Sequence, residues 1–476
     1  MKYGRELGAA AIGAFSGGAL LVAIVLALNP LLSAANVATP VESSSPTVSP
    51  TPAPTQPSGT PSDTATPSAT PTESPSPERS CSIAELLESA FIVDWQGEVR
   101  LLDTGEVLYS QSAEVSSRPA SVMKLLTAAA ALEVLGPDFT VETKIYRDAR
   151  NRSRMYFLGS GDVTLTGLSS GSSVYRGAAR VSDLAEQTLD ALGSRDIREI
   201  VLDSTLYSGE GGEGEWHETW DRRGLTEGYM APVSALQLDG GRLDPKRKLS
   251  PRTETPVLAA GEALKAALGN QARNADISFG SLPQNAEEIA SVRSAPLSEW
   301  IDYMLIESDN ALAEAIGRLI SYEVGLDGSM ASLTEALNRA LSDTGLDLGN
   351  FFVQDASGLS RNSLLAPAVV NDLLELIEEG YGDFELIEAG LSLSAQSGSL
   401  SSRFTGSQSD AAGQIQAKTG WIRTGYSLAG FIDAADGSRL SFTVYNLASS
   451  VNLDHRQAMD DVVYGIYKCG SELADG

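Results

Sequence analysis

Hydrophobic and polar positions divide the 476-residue chain into stretches of different period. Residues 7–41 carry no charged side chain, and within them 19–28 are strongly apolar before Asn29-Pro30 breaks the run. Behind the basic start Lys2 and Arg5, such a run reads as an export signal or an uncleaved anchor, assigned here to 1–39. Ser33-Ala34-Ala35 offers small residues to a signal peptidase. The uncharged run is also long enough to span ~30 Å of hydrocarbon, so both readings stay open. Residues 40–79 hold 11 of the chain's 21 prolines, separated mostly by Ser and Thr. Such a composition buries no apolar surface and favours extended polyproline-like backbone. Residues 40–80 are therefore predicted to be a disordered linker, which at ~3.1 Å per residue reaches about 120 Å.

Beyond the linker the pattern is that of a folded chain. Stretches 90–94 and 107–110 read as strands joined through a Gly97/Gly105 turn region. Pro119 then opens an apolar, alanine-rich helix over 121–133, with Gly136-Pro137 after its end. Residues 155–158 read as a strand and 208–228, rich in Gly, Glu and Trp, as a loop. Helices are predicted over 297–306 and 310–322, separated by Glu307-Ser308-Asp309, and over 367–379. The period then falls to two: 413–418 alternates, 427–432 follows, and 440–447 pairs with it through an Asp436-Gly437 turn. A helix over 454–467 closes the chain. Helices in the middle and an antiparallel sheet drawn from both ends make an α+β fold rather than a regular βαβ alternation.

Composition narrows the function classes. Hydrophobic residues make up 42% and charged residues 20%, enough to bury a core, and the length accommodates two or three domains. Thirty-four basic against 62 acidic side chains leave a net charge of −28, which excludes a general electrostatic grip on nucleic acid. Two histidines (His217, His455) and two cysteines are too few soft ligands for a zinc or iron–sulfur site. They also leave little for a Ser-His-Asp or Cys-His mechanism, so a hydrolase of this composition takes its base from elsewhere. Cys81 and Cys469 bracket the folded region. In an exported chain an isolated pair is expected to form a disulfide, which makes the two ends neighbours.

Three triplets carry candidate chemistry. Ser121 and Lys124, at i and i+3 of the predicted helix, share a face about 5–6 Å apart at Cβ. A lysine there takes the serine proton if burial or a second cation lowers its pKa, and the helix N-terminus offers free N–H groups to an oxyanion. Taken alone, the pair is also what chance spacing produces. Ser308-Asp309-Asn310 puts a hydroxyl and an amide at i and i+2, fit to relay a proton and hold a substrate amide; taken alone it reads first as a helix N-cap. Lys418-Thr419-Gly420, at the end of an alternating stretch, can grip a carboxylate by charge-assisted hydrogen bonds, with Gly420 admitting a ligand backbone. Its plain alternative is a strand-end turn. Together and in this order they form the set found in β-lactamases and penicillin-binding proteins.

On these residues the chain resembles the class C, low-molecular-mass penicillin-binding proteins, the D-alanyl-D-alanine carboxypeptidases/endopeptidases of peptidoglycan. The resemblance runs over most of 85–470. It includes Arg118-Pro119-Ala120-Ser121, Leu158-Gly159-Ser160-Gly161-Asp162-Val163-Thr164-Leu165, Ala231-Pro232-Val233-Ser234-Ala235-Leu236 and Asp355-Ala356-Ser357-Gly358-Leu359-Ser360-Arg361-Asn362. It implies a penicillin-binding/β-lactamase-like serine transpeptidase domain, an antiparallel sheet plus a helical cluster, made from 81–145 and 288–476. An accessory domain is inserted at 146–287. The resemblance further implies Ser121 as the acylated nucleophile, Lys124 as its general base, and Ser308 as the shuttle carrying a proton to the leaving D-alanine. Asn310 would hold the peptide. Lys418 and Thr419 would bind the terminal carboxylate, Lys418 also helping to keep Lys124 neutral. Backbone N–H groups of Ser121 and of Trp421, the residue after Gly420, would form the oxyanion hole.

This chain departs from the family pattern twice. Trp421 stands where relatives often have Thr, which removes a hydroxyl that assists the carboxylate. The stretch after Asp239-Gly240 looks shortened, so one inserted subdomain is expected to be reduced or missing. What the resemblance implies is a penicillin-sensitive serine DD-peptidase that needs no metal or organic cofactor. It would act on peptidoglycan stem peptides in the cell envelope, secreted or held at the membrane by 1–39. Two other readings are a β-lactamase or esterase of the same fold, for which no deacylating carboxylate can be assigned, and a non-catalytic wall-binding scaffold, which sits poorly with three intact triplets.

Overall fold

Alternation at both ends of the folded chain produces one antiparallel sheet. A computed structural model describes residues 79–207 and 211–474; the expected export segment 1–39 and the linker up to residue 78 lie outside the described residues. Strands β1 (Asp94–Leu101) and β2 (Glu106–Gln111) form the first hairpin. Strands β3 (Glu142–Arg147), β4 (Arg154–Leu158), β5 (Glu199–Asp203), β6 (Asp276–Phe279) and β7 (Glu287–Arg293) belong to a second sheet. Strands β8 (Ser392–Leu393), β9 (Ile415–Ile422), β10 (Gly425–Asp433) and β11 (Arg439–Leu447) return to the first, which runs β2-β1-β11-β10-β9-β8 and is antiparallel throughout.

Period-two alternation on the central strands buries both faces of this sheet. Leu428, Phe442 and Val444 face the C-terminal helix Leu453–Cys469 through Met459, Val462 and Ile466. Ala429, Phe431 and Tyr445 face the helical cluster that carries Leu126, Ile301, Ile316 and Val370. The predicted helices stand at Met123–Val134, Leu297–Ile306, Asn310–Glu323 and Pro367–Glu378.

The first strand lies at 94–101, later than the predicted 90–94, and Gly97 sits inside it opposite Val444 rather than in a turn. Its alternation is hidden because Glu98 and Arg100 face a helix as well. Arg100 pairs with Glu98 and reaches Asp372 at 2.7 Å and Glu375 at 2.9 Å. A strand that buries charge against matched charge does not read as a strand.

The second sheet runs β6-β5-β4-β3-β7. Strands β4, β5 and β6 are parallel, joined across by helices Val181–Leu192 and Pro256–Leu268. The absence of βαβ units expected from the sequence therefore applies only to the larger sheet. This part packs its own apolar cluster, including Ile145, Phe157, Leu184, Ile200 and Leu264.

The ends of the fold meet as the cysteine pair requires. Cys81 and Cys469 form a disulfide with their Cα atoms 5.4 Å apart. Beside it the Cys81 amide donates to Glu472 O at 3.1 Å, and the Ala474 amide donates to Cys81 O at 2.8 Å. Among the described residues no helix is long and apolar enough to cross a membrane.

Candidate active site

The serine comes from a strained turn. Pro119 leads into a 3-10 turn, Ala120–Val122, that runs on into helix Met123–Val134. Ala120 has a φ of 48°, a left-handed conformation that costs an L-residue energy and persists only where packing holds it. The turn presents Ser121 to a cleft of about 590 Å³. Lys124, one turn later, is fully buried with its helix.

The Lys124 amine has three partners. Ser121 Oγ lies at 3.0 Å, Asn310 Oδ1 at 2.7 Å and Ser357 O at 2.7 Å. A neutral amine has two N–H bonds and one lone pair. Asn310 Oδ1 and Ser357 O accept both N–H bonds, which leaves the lone pair for the Ser121 hydroxyl. Burial brings the Lys124 pKa down to about 8, although the carboxylates of Glu314, Asp355 and Asp309 pull the other way. At that value roughly a tenth of the amine is neutral at pH 7.

Between helices Leu297–Ile306 and Asn310–Glu323 the chain turns sharply, with Ser308 at φ 56°. Asp309 is the N-cap, its carboxylate accepting from the Leu312 amide at 3.0 Å. It also pairs with Arg242 at 2.6 Å in a buried ion pair and accepts from the Tyr175 hydroxyl at 3.2 Å. Burial opposes its charge, yet Arg242 and Arg252 hold its carboxyl well below the usual range. The cap and the chemical reading of this triplet coexist, because the cap aims the residues on either side of Asp309 into the cleft. Asn310 accepts from Lys124 and donates Nδ2 to Tyr229 O at 3.0 Å. Ser308 Oγ accepts from Lys418 Nζ at 2.9 Å.

Lys418-Thr419-Gly420 lies within β9 rather than at its end. The strand continues through Trp421 to Ile422, and Arg423-Thr424 forms the turn into β10. Lys418 is buried and donates to Ser308 Oγ and to Thr419 O at 2.9 Å. Burial first, then the Lys124 charge, pushes its amine well below the ordinary lysine range. Thr419 Oγ1 donates to Ser399 Oγ at 2.7 Å. Gly420 is where the strand crosses the serine turn. A Cβ there would lie 2.0 Å from Ser427 Oγ and 3.0 Å from both Ala120 Cβ and Pro119 O. Trp421 stands on the rim, half exposed.

Ser121, Ser308, Asn310, Thr419 and Trp421 line one cleft, and Lys124 and Lys418 are buried directly beneath it. Several residues that hold this arrangement carried no assigned role in the sequence. Arg118 donates to the carbonyls of Thr424 and Ala448, and Ser427 donates to Pro119 O at 2.6 Å, tying the β9–β10 hairpin to the serine turn. Glu314 accepts from the Ser357 amide at 2.8 Å and so fixes the carbonyl that Lys124 uses. A glutamate four residues after Asn310, on the same face of the predicted helix, was the available signal. Ser399 sits in a serine-rich stretch that offers none. Among the described residues no group of three or more His, Cys, Asp or Glu side chains is placed to hold a metal ion.

A sequence model of the D-Ala-D-Ala carboxypeptidase 3 (S13) family matches residues 82–251 and 242–464. The chain belongs to that family. Carboxypeptidase DacB of Mycolicibacterium smegmatis is 33% identical to it over 382 residues, 79% of this chain and 80% of that protein. The D-alanyl-D-alanine carboxypeptidase of an Actinomadura species is 28% identical over 412 residues, 72% and 76% of the two chains. The crystal structure of penicillin binding protein 4 from Haemophilus influenzae shares the fold, with a TM-score of 0.64 at 19% identity over 81% of this chain and 98% of that one. The same protein complexed with a β-lactam gives a TM-score of 0.60 at 20% identity, over 83% and 99%. As an S13 member the chain is a serine-type D-Ala-D-Ala carboxypeptidase of the low-molecular-mass class C penicillin-binding group, on the α+β penicillin-binding fold.

Proposed function

We propose that Ser121 is the nucleophile of this carboxypeptidase and Lys124 its base. The observation that carries the reading is the position of the Lys124 amine, 3.0 Å from Ser121 Oγ and held by Asn310 Oδ1 and Ser357 O at 2.7 Å each, so that on losing a proton it keeps those two N–H bonds and turns a lone pair to the serine. Ser121 Oγ adds to the carbonyl of the penultimate D-alanine, and its proton passes to Lys124 Nζ. Backbone N–H groups of Ser121 and Trp421 receive the oxyanion. The C–N bond then breaks, the leaving nitrogen takes a proton through Ser308, and D-alanine departs. Water next attacks the Ser121 ester, releasing the shortened stem peptide and restoring the hydroxyl. Thr419 and Lys418 hold the terminal carboxylate, and Asn310 holds the peptide. A bound carboxylate also counters the burial that disfavours charge on Lys418.

The substrate in this reading is a peptidoglycan stem peptide, and a β-lactam acylates Ser121 in its place, in keeping with the ligand of the H. influenzae structure. The enzyme works outside the cytoplasmic membrane, taken there by residues 1–39, which either are cleaved or remain as an anchor, with 40–80 as tether.

Intact mass after exposure to penicillin, followed by peptide mapping, tests the assignment. A single adduct on the peptide containing Ser121 is expected, absent in Ser121→Ala, together with D-alanine release from a pentapeptide. An adduct on another residue would falsify the nucleophile.

A further inference from the structure

We propose that the loop 243–249 is a docking surface for an anionic phospholipid membrane, a role separate from the chemistry of Ser121. The chain has 34 basic and 62 acidic side chains, yet residues 242–252 reverse that balance. They hold five cations, Arg242, Lys246, Arg247, Lys248 and Arg252, against the single acid Asp244. The two arginines at the ends of the segment are buried, while Lys246, Arg247 and Lys248 are exposed. Lys248 pairs with Glu307, and no salt bridge among the described residues takes Lys246 or Arg247. Leu243 and Leu249 flank these cations. At 67% and 66% exposure they stand further into solvent than any other large apolar side chain among the described residues.

The loop is held out on a stiff base. Arg242 and Arg252 face each other across an antiparallel bridge, the Thr253 amide donates to Gly241 O at 2.8 Å and the Leu243 amide to Pro251 O at 2.9 Å. Ser250 is buried, and its Oγ accepts from the Asp244 amide at 2.8 Å. At the tip the Arg247 amide closes a turn on Asp244 O at 3.2 Å, and the Asp244 carboxylate accepts from the Lys246 amide at 3.0 Å. Pro245 O accepts from the Val174 amide at 2.8 Å, and Lys248 O from Arg242 Nε at 3.1 Å. Isolated exposed leucines are ordinary; two on one pinned loop, with cations between them, form the pattern of an interfacial segment. Apolar tips enter the headgroup boundary while Lys and Arg meet phosphates. A phosphodiester polymer of the wall would engage the cations and leave both leucines in water, so the leucines favour lipid. The chain as a whole, at −28, is repelled by the same surface, which makes this loop the part that turns towards it. Lys248 and Leu249 also line a cavity of about 270 Å³ that shares Ser308 with the Ser121 cleft. A docked loop therefore brings the mouth of the cleft to the lipid face.

Hydrogen–deuterium exchange of the full chain reads the loop itself, whatever residues 1–39 do in the bilayer. It is measured with vesicles of phosphatidylcholine alone, with vesicles containing about a third phosphatidylglycerol, and with soluble poly(glycerol phosphate). Exchange across 243–249 is expected to slow by about tenfold or more with the anionic vesicles only. Leu243→Glu/Leu249→Glu and Lys246→Glu/Arg247→Glu are each expected to lose that protection, and an unchanged urea midpoint reports an intact fold in both. Exchange that is the same with and without anionic vesicles would overturn the proposal. So would protection by the polymer that survives in the leucine variant and is lost in the Lys246→Glu/Arg247→Glu variant, which would assign the loop to a wall phosphodiester instead. Either result leaves the Ser121 assignment untouched.

Discussion

In the proposed mechanism Ser121 reacts only when Lys124 has lost its proton, so the electrostatics around one amine set the working pH. Burial lowers Lys124 to about 8. The neutral base therefore accumulates as pH rises, and the rate of acylation by penicillin should climb about tenfold per pH unit below 8 and level off above it. Glu314 acts against this. Its carboxylate favours the ammonium form of Lys124, and burial first, then Asp355, pushes its own carboxyl up to about 7. In Glu314→Gln the amide oxygen can still accept from Ser357 N–H, but the negative charge is gone, so the inflection should move below 8. A pH profile of acylation in the two proteins checks this, and an unmoved inflection would take Glu314 out of the site's electrostatics. The Ser-x-x-Lys spacing was visible in the chain. The depressed amine was not, because its cause is burial beneath Asn310 and Ser357, residues 186 and 233 positions away.

At the scale of elements, the site exists where a strand, a helix start and a helix–helix turn are clamped together. The β9 strand lies against the serine turn only because position 420 has no side chain. Gly420→Ala puts a Cβ 2.0 Å from Ser427 Oγ, so it should push the strand away, slow acylation by at least about tenfold and cost ~1–3 kcal/mol of stability. Stopped acylation assays and a urea titration read the two effects. The helix–helix turn is held by the Arg242–Asp309 pair, which is buried on both sides. Arg242→Met leaves the Asp309 carboxylate buried without its ion-pair partner, with only Arg252 nearby, a loss of about 3–5 kcal/mol. The folded-state pKa of Asp309 is depressed, so wild type keeps this contribution above the unfolded carboxylate value near ~4 and loses it as pH falls further. The stability gap between Arg242→Met and wild type should therefore narrow in strong acid. Helices 297–306 and 367–378 were legible from apolar spacing. Strand β1 was not, since its charged positions face partners on another element.

The whole molecule is closed by joining its ends. Strands from either side of the helical region share one sheet, and the Cys81–Cys469 disulfide fastens the chain just outside it. Cys81→Ser is expected to lower stability by about 2–5 kcal/mol, read as a lower urea midpoint that wild type reproduces in a reducing agent. Pentapeptide trimming at 25 °C should survive, because neither cysteine lines the cleft. The second sheet was nearly invisible beforehand. Of its five strands only 155–158 had a readable pattern; the others are four to seven residues long, and β6 and β7 have exposed ends.

The amino-acid order alone determined the chemistry available: a serine one turn before a lysine, a Ser-Asp-Asn turn, a Lys-Thr-Gly strand and a lone cysteine pair. These are local properties of side chains and spacing. What only the tertiary structure decided is which groups share a dielectric environment and a cavity. That Lys124 donates to Ser357 and that Ser399 meets Thr419 both depend on contacts between distant segments. Burial and charge compensation belong to the packed molecule, so no pattern within a single segment encodes them.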